Sequence, residues 1–285
     1  MILVTGASGI VGSAIADYFV GHGEDVIMHG FGHAKQNMIY ADLTDEKQLV
    51  EMFEKYEISA IVHCAAIRPG NSGNSDIFIY KNNMGITLNL LSYINKDVFF
   101  INISGTSIYN LVGDGVLNEY ADIKCDTLYQ LSKKHSEDLF GLYCTDNILN
   151  LRISSPYSIN RENDSILYKF IRKAISKEPL TIWGSGRRTQ AFTNVYTLAE
   201  DLYKLYSKKI TGTFNYVTTP SISMLNLANE VAKNFEPCKV VQTGNDDPEE
   251  FCRTSISINK ISGLINPKDT LASDIAIIAK KYYRK

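Results

Sequence analysis

Through the first 150 positions, short apolar runs alternate with stretches whose apolar residues recur every three or four places. The short runs Ile2–Thr5, Asp25–Met28, Ala60–Cys64, Val98–Ser104 and Asn147–Ile153 predict strands buried on both faces. Between them the spacing predicts helices over Val11–Val20, Asp45–Lys55, Ile79–Ile94 and Leu128–Tyr143. Ala41-Asp42-Leu43 leads into the second helix, which carries acids early and Lys55 last, the order a helix dipole favours. Buried strands alternating with helices imply a doubly wound parallel sheet, whose ligands bind beyond the C-terminal ends of the strands.

After Pro156 the rhythm changes. Helices are expected over Ser165–Lys177, Tyr196–Ser207, Ser223–Asn234 and Ser273–Lys281, with strands at Leu180–Trp183 and Phe214–Val217. The organisation predicted is an α/β domain over residues 1–155 and a smaller, interleaved region over 156–285, with Tyr196–Val217 packing back on the first domain.

Composition excludes more than it assigns. The 285 residues are 45% hydrophobic and 21% charged with a net charge of −2, which gives no reason to expect nucleic-acid or bilayer binding. No apolar run is long enough to span a membrane, and with the first strand at residue 2 no leader peptide is expected. The five cysteines (Cys64, Cys125, Cys144, Cys238, Cys252) are scattered and form no Cys-x-x-Cys pair, so neither a disulfide framework nor a metal site is expected. A reduced, cytoplasmic protein is the expectation.

Chemistry enters at the first turn. Gly6, Gly9 and Gly12 follow the first strand directly and open a helix, the arrangement that brings backbone close to a dinucleotide pyrophosphate. Gly6 serves the tight turn, Gly9 the approach to phosphate and Gly12 the contact of helix with strand, while the first helical amides face the anion. Two Tyr-x-x-x-Lys pairs occur, Tyr120/Lys124 and Tyr129/Lys133. Only the second lies in a predicted helix with an apolar stripe, where positions i and i+4 share a face. An ammonium one turn away is expected to lower the Tyr129 pKa and make the phenol a usable acid or base.

Together with Asp42-Leu43-Thr44-Asp45, His63-Cys64-Ala65-Ala66, Asn83 before Asn89-Leu90-Leu91, and Gly184-Ser185-Gly186 ahead of Phe192-Thr193-Asn194-Val195, these motifs resemble the extended short-chain dehydrogenase/reductases over nearly the whole chain. The chain is similar to their nucleotide-sugar epimerase, dehydratase and 4-ketoreductase branch. The resemblance implies a Rossmann-type sheet holding NAD(P) through Gly6, Ser8, Gly9, Ile10 and Gly12. Asp42 and Leu43 would lie near the adenine, with Ala65, Ala66, Asn83 and Pro156 around the rest of the cofactor. Lys133 would bond the nicotinamide ribose and Tyr129 would exchange a proton with the sugar. A homodimer through the helices carrying Tyr129 and Ile79–Ile94 is also implied.

The chain departs from that pattern in several places. Gly105 stands where the family carries a catalytic Ser or Thr, so Thr106, or else Ser104, is expected to supply the hydroxyl. Ser107 follows Thr106, so the Thr-Asp-Glu run of dehydratases is absent; Ser107 is expected on the substrate side. At the end of the second strand the acid that binds a ribose 2′-hydroxyl is replaced by Gly30, with His29, His33 and Lys35 nearby, which leans toward NADP. Ser155 replaces the Asn before Pro156, and Gln190 and Ala191 replace an Arg and an Asp. Arg187, Arg188 and Arg253 are then the candidates for the substrate diphosphate, which guanidinium forks suit.

The function expected is reduction of a 4-keto nucleotide-diphosphate sugar by NADPH, with Tyr129 as proton donor. A 4-epimerase with tightly held NAD is the alternative. From another class, a catalytically silent dinucleotide sensor would explain Gly105 but not Tyr129 and Lys133.

Overall fold

The computed structural model describes residues 1–31, 38–70 and 76–283. In chain order the elements of the first part are β1 (Ile2–Thr5), α1 (Ile10–Gly21), β2 (Val26–Gly30), β3 (Ile39–Tyr40), α2 (Glu46–Lys55), β4 (Ala60–His63), α3 (Asp76–Tyr93) and β5 (Phe99–Gly105). A 3-10 turn (Thr106–Ile108), β6 (Val116–Leu117), α4 (Leu128–Cys144) and β7 (Ile148–Ile153) follow. The remainder is β8 (Pro156–Tyr157), α5 (Ile166–Ile175), β9 (Leu180–Ile182), β10 (Thr189–Asn194), α6 (Val195–Ser207), β11 (Gly212–Tyr216), β12 (Thr219–Ser223), α7 (Met224–Ala232), β13 (Val240–Gln242), β14 (Ser255–Ile256), α8 (Asn259–Ser262) and α9 (Leu271–Tyr283).

Seven strands pair in parallel in the order β11-β7-β5-β4-β1-β2-β3. The chain runs outward from β1 to β3, then returns to β4 on the other side of β1. In sheets of this kind such a reversal marks the crevice for ligands, here at the C-terminal ends of β1 and β4. The predicted parallel sheet is therefore present, and β11 extends it beside β7. On one face α1 and α6 pack over Val4, Val62, Ile101 and Leu151, and Phe19 meets Tyr203 edge-on at 5.2 Å. On the other face α2, α3 and α4 cover Leu3, Ile61, Phe100 and Ile148.

That second face changes character along the strands. Side chains alternate with period two, so Leu3 is followed by Thr5, Ile61 by His63, Phe100 by Asn102 and Ser104, and Ile148 by Asn150 and Arg152. All of these polar residues are buried. The sheet is thus apolar under α3 and α4 at its N-terminal edge and polar at the edge where the crevice lies.

Caps explain the helix starts. Asp45 accepts from Lys47 and Gln48 amides to begin α2, and Thr127 with Gln130 forms a capping box at α4. Ser165, Asn194 and Ser223 cap α5, α6 and α7. Helix α1 begins at Gly9 with no side-chain cap.

Several boundaries differ from the sequence reading. β2 continues to Gly30, two residues past Met28, and the short β3 was not expected. β10 and β12, an antiparallel pair, were also missed; their alternating Thr, Gln, Ser and Asn residues lack an apolar run. A second core gathers α5, α7, α9 and β9 around Phe170, Leu227 and Ile275. Among the described residues no helix is long and apolar enough to cross a membrane.

Candidate active site

The first turn is a tight backbone cradle. Gly6 has φ +67°, and a Cβ there would sit 2.8 Å from the Ala65 amide nitrogen. A Cβ on Gly12 would lie 2.8 Å from the Gly6 carbonyl carbon, and one on Gly9 3.2 Å from the Gly6 oxygen. No larger residue fits at positions 6 and 12 without backbone movement. The cradle is open to solvent at Gly9, where α1 begins with no side-chain cap, and the free amides of a helix start are the donor set a phosphate requires.

Thr5 locks the neighbouring strand end. Its hydroxyl accepts from the Cys64 and Ala65 amides at 3.1 and 3.2 Å and donates to His63 Nδ1 at 2.8 Å. Burial, with Lys133 nearby, pushes His63 down to about 3, so the ring is neutral. Burial likewise pushes the Cys64 thiol up to about 12, leaving it inert. Asn83 works from α3: its Oδ1 accepts from Ile67 N, and its Nδ2 donates to Ile67 O and Ser132 Oγ. These bonds tie the loop after β4, including Ala65 and Ala66, to α4. Asn83 is therefore held in place by protein partners on both its oxygen and its nitrogen.

His29 is likewise bonded within the protein. Because β2 runs through it, its ring turns into the sheet's polar face instead of lying in a loop. Its Nε2 donates to Ala41 O at 2.8 Å and its Nδ1 accepts from Gly6 N at 3.4 Å. Burial lowers its pKa, so it braces the glycine turn as a neutral ring and brings no charge to a 2′-phosphate. His33 and Lys35 lie outside the described residues. Gly30 faces the cradle, where a Cβ would be 3.4 Å from Ser8 Cβ. Asp42 is engaged by Thr44 N and Oγ1, and the Leu43 carbonyl accepts from Asn89.

Helix α4 carries Tyr129, Lys133 and Glu137 at i, i+4 and i+8, one face of three successive turns. Lys133 is buried, and its Nζ donates to Ile103 O on β5 at 2.8 Å. Burial pulls its ammonium down to about 8. Tyr129 differs from expectation: burial raises its pKa, and the cation that opposes the rise is Arg68, on the loop after β4. Lys133 is directed to the β5 carbonyl, so burial wins and the phenol keeps its proton at neutral pH.

Beyond β5, Thr106 is buried on the 3-10 turn and Ser107 is half-buried. Ser104 is buried on the sheet's polar face with no hydrogen-bond partner for its Oγ among the described residues. A Cβ at Gly105 would meet Ser107 Oγ at 3.4 Å, an ordinary contact.

A buried network, unread in the sequence, ties this turn to α4. Arg152 grips Glu137 through Nε and Nη2 at 3.0 and 2.7 Å and donates from Nη1 to the Tyr109 hydroxyl at 2.7 Å. Tyr109 in turn donates to Asn215 Oδ1 at 2.7 Å, and Asn215 Nδ2 reaches Leu117 and Ser257 carbonyls. The network thus links the helix of Tyr129 and Lys133 to β7, β11 and the β6–β14 segment.

The three candidate diphosphate arginines sit on that outer segment or the loop before β10, and two are already paired. Arg188 pairs with Asp247 at 3.2 Å and with Glu249, and Arg253 with Asp114 at 2.9 Å. Arg187 is exposed. Ser155 turns the chain with φ +33°, left-handed backbone that Asn tolerates better than Ser. Pro156 follows in β8, paired with Thr193. Gln190 donates to Ser154 Oγ at 3.2 Å.

Comparison with known proteins decides the family. A family model described as "NAD dependent epimerase/dehydratase family" matches residues 2–215. The chain belongs to that family. UDP-glucuronic acid decarboxylase 4 of Arabidopsis thaliana is 24% identical over 100% of this chain and 69% of its own length. UDP-glucuronic acid decarboxylase 1 of the same plant is 25% identical over 95% of this chain and 67% of its own length. Among solved structures, the UDP-glucuronic acid 4-epimerase of Bacillus cereus, in complex with UDP-glucuronic acid and NAD, superposes with TM-score 0.81 at 22% identity, covering 99% of each chain. The UDP-glucose 4-epimerase of Thermus thermophilus, complexed with NAD, gives 0.83 at 18% identity, covering 99% of this chain and 98% of that one. Structural likeness at these identities establishes the fold.

For a member of the epimerase/dehydratase family, the glycine cradle and uncapped α1 fit a dinucleotide. Arg68 and the Glu137–Arg152 pair went unread in the sequence. An i+4 step from Lys133 to Glu137 was the one signal available for the pair.

Proposed function

We propose that this chain is an oxidoreductase of a nucleotide-activated sugar, reducing a ketone at C4 with Tyr129 as proton donor. The observation carrying this reading is the shared face of half-buried Tyr129 and buried Lys133 on α4, joined through Lys133 to β5 at the same sheet edge as the glycine cradle. Gly6, Ser8, Gly9, Ile10 and Gly12 would hold the dinucleotide phosphates, with Asp42 and Leu43 toward the adenine. Ala65, Ala66 and Pro156 would flank its other end, and Lys133 its ribose. When bound, NAD(P)H supplies the hydride. Tyr129, kept protonated by burial, delivers a proton to the developing alkoxide. Thr106 or Ser104 donates a hydrogen bond to the same oxygen, and Ser107, Ser155, Arg187, Arg188 and Arg253 line the substrate side. Ser107 offers no acid for water expulsion, which favours reduction over dehydration. The test is NADPH oxidation with UDP-linked 4-keto sugars. Consumption that depends on the ketone supports the reading, and its absence with every such ketone overturns it.

The hydroxyl role has its own test. Thr106→Val should lower kcat about a hundredfold, the size of one lost oxyanion donor, and Gly105→Ser should recover most of that loss. An unchanged kcat in Thr106→Val would move the role to Ser104.

Cofactor choice rests on Gly30, which leaves a 2′-phosphate unopposed by a carboxylate. NADPH should have the lower KM, and Gly30→Asp should reverse the order; a strong preference of the wild type for NADH contradicts the NADP lean. The neutral, inward His29 favours a second reading, a 4-epimerase retaining NAD. NAD(H) surviving purification, with interconversion of UDP-sugars and no net redox change, would select it.

A further inference from the structure

We infer that Arg161 is a clamp on the dinucleotide phosphates, reaching the glycine cradle from the substrate side; this rests on the reading of that cradle as the dinucleotide site. Arg161 follows β8, yet its Nη1 donates to the Ser8 carbonyl at 2.8 Å, across 153 positions of sequence. Ser8 lies between Gly6 and Gly9, immediately before α1.

The segment presenting Arg161 is held from three helices. Tyr196 of α6 bonds Ser158 Oγ at 3.0 Å and accepts from Asn160 Nδ2 at 2.7 Å. Lys281 of α9 donates to Ile159 O at 3.1 Å and to Asn160 Oδ1, and Tyr168 of α5 donates to Ser158 O. An exposed arginine on so fixed a base loses little freedom when it binds.

Its charge is not matched by a carboxylate. Arg152, Arg172, Arg188 and Arg253 each lie within ion-pair distance of one, whereas no such pair involves Arg161 among the described residues. The neighbouring Glu162 pairs with Arg172. A cation beside a helix start opposes the dipole, which favours anions there. A guanidinium and an uncapped helix start side by side are mutually unfavourable until an anion lies between them. The guanidinium spends one donor on Ser8 and keeps a fork for phosphate oxygens.

The test compares NAD(P)H, ADP-ribose, adenosine and UDP binding to wild type, Arg161→Ala and Arg161→Lys by calorimetry. Arg161→Ala should weaken NAD(P)H and ADP-ribose about tenfold or more, the loss expected for a charge-assisted hydrogen bond. Adenosine and UDP should bind as before, and Arg161→Lys should fall between. Equal weakening of adenosine would make Arg161 a brace of the loop and overturn the clamp, as would unchanged NAD(P)H affinity. If the wild type binds UDP but no dinucleotide, the cofactor reading fails first and the clamp with it.

Discussion

Tyr129→Phe is expected to lower kcat by about two to four orders of magnitude, the range of a lost general acid, while dinucleotide affinity stays within about a factor of two. The ring is retained, so the packing of α4 against β5 is retained, and only the transferable proton is lost. The pH profile adds a second arm. Lys133 keeps its charge below about 8 and loses it above, so kcat/KM, which reports the free enzyme, should fall as pH rises through about 8. Tyr129 itself titrates higher because burial raises it. Turnover surviving in the Phe variant would remove Tyr129 from the chemistry. A protein inactive with every nucleotide sugar, but still binding dinucleotide, would instead favour the silent sensor.

The second large effect concerns stability. Arg152→Met should cost about 3–5 kcal/mol, because Glu137 is left charged and unpaired at a site only 5% exposed. Replacing both partners, Glu137→Leu with Arg152→Met, should recover most of the loss, since an apolar pair can fill a buried ion-pair site at little cost. Chemical denaturation of the three proteins decides the matter. A single variant within about 1 kcal/mol of wild type would mean that water reaches the pair. Tyr109 and Asn215 extend the same network, so the double variant, though stable, should lose activity if the network also sets the position of α4.

The sequence carried the main sheet because its strands are continuous apolar runs between helices of clear periodicity. It carried the cradle because only glycine fits at positions 6 and 12, which backbone distances of 2.8 Å bear out. His29 misled because two more residues joined β2, and with period-two alternation a strand residue has one of two directions. That choice made a residue read as a basic neighbour of the ribose a buried neutral brace. The Tyr129 expectation failed on magnitude: proximity along a helix was legible, but burial outweighed it. Arg161, Arg68 and the Arg152 network were illegible because each depends on contacts between segments distant in the chain, across 153 positions in the case of Arg161 and Ser8. The arginines on the outer segment were legible as charges, but their carboxylate partners Asp247, Glu249 and Asp114 were not.

Catalysis as proposed requires a phenol and an ammonium of α4 standing over the dinucleotide that the glycine turn holds. A crystal structure with NADPH and UDP bound measures this directly. It should show the phosphates at the start of α1, Lys133 Nζ on the nicotinamide ribose, and the Tyr129 hydroxyl within about 3.2 Å of a ligand oxygen, hydrogen-bond reach for a general acid. A nicotinamide ring bound away from residue 129, with the phenol facing only protein, would contradict it.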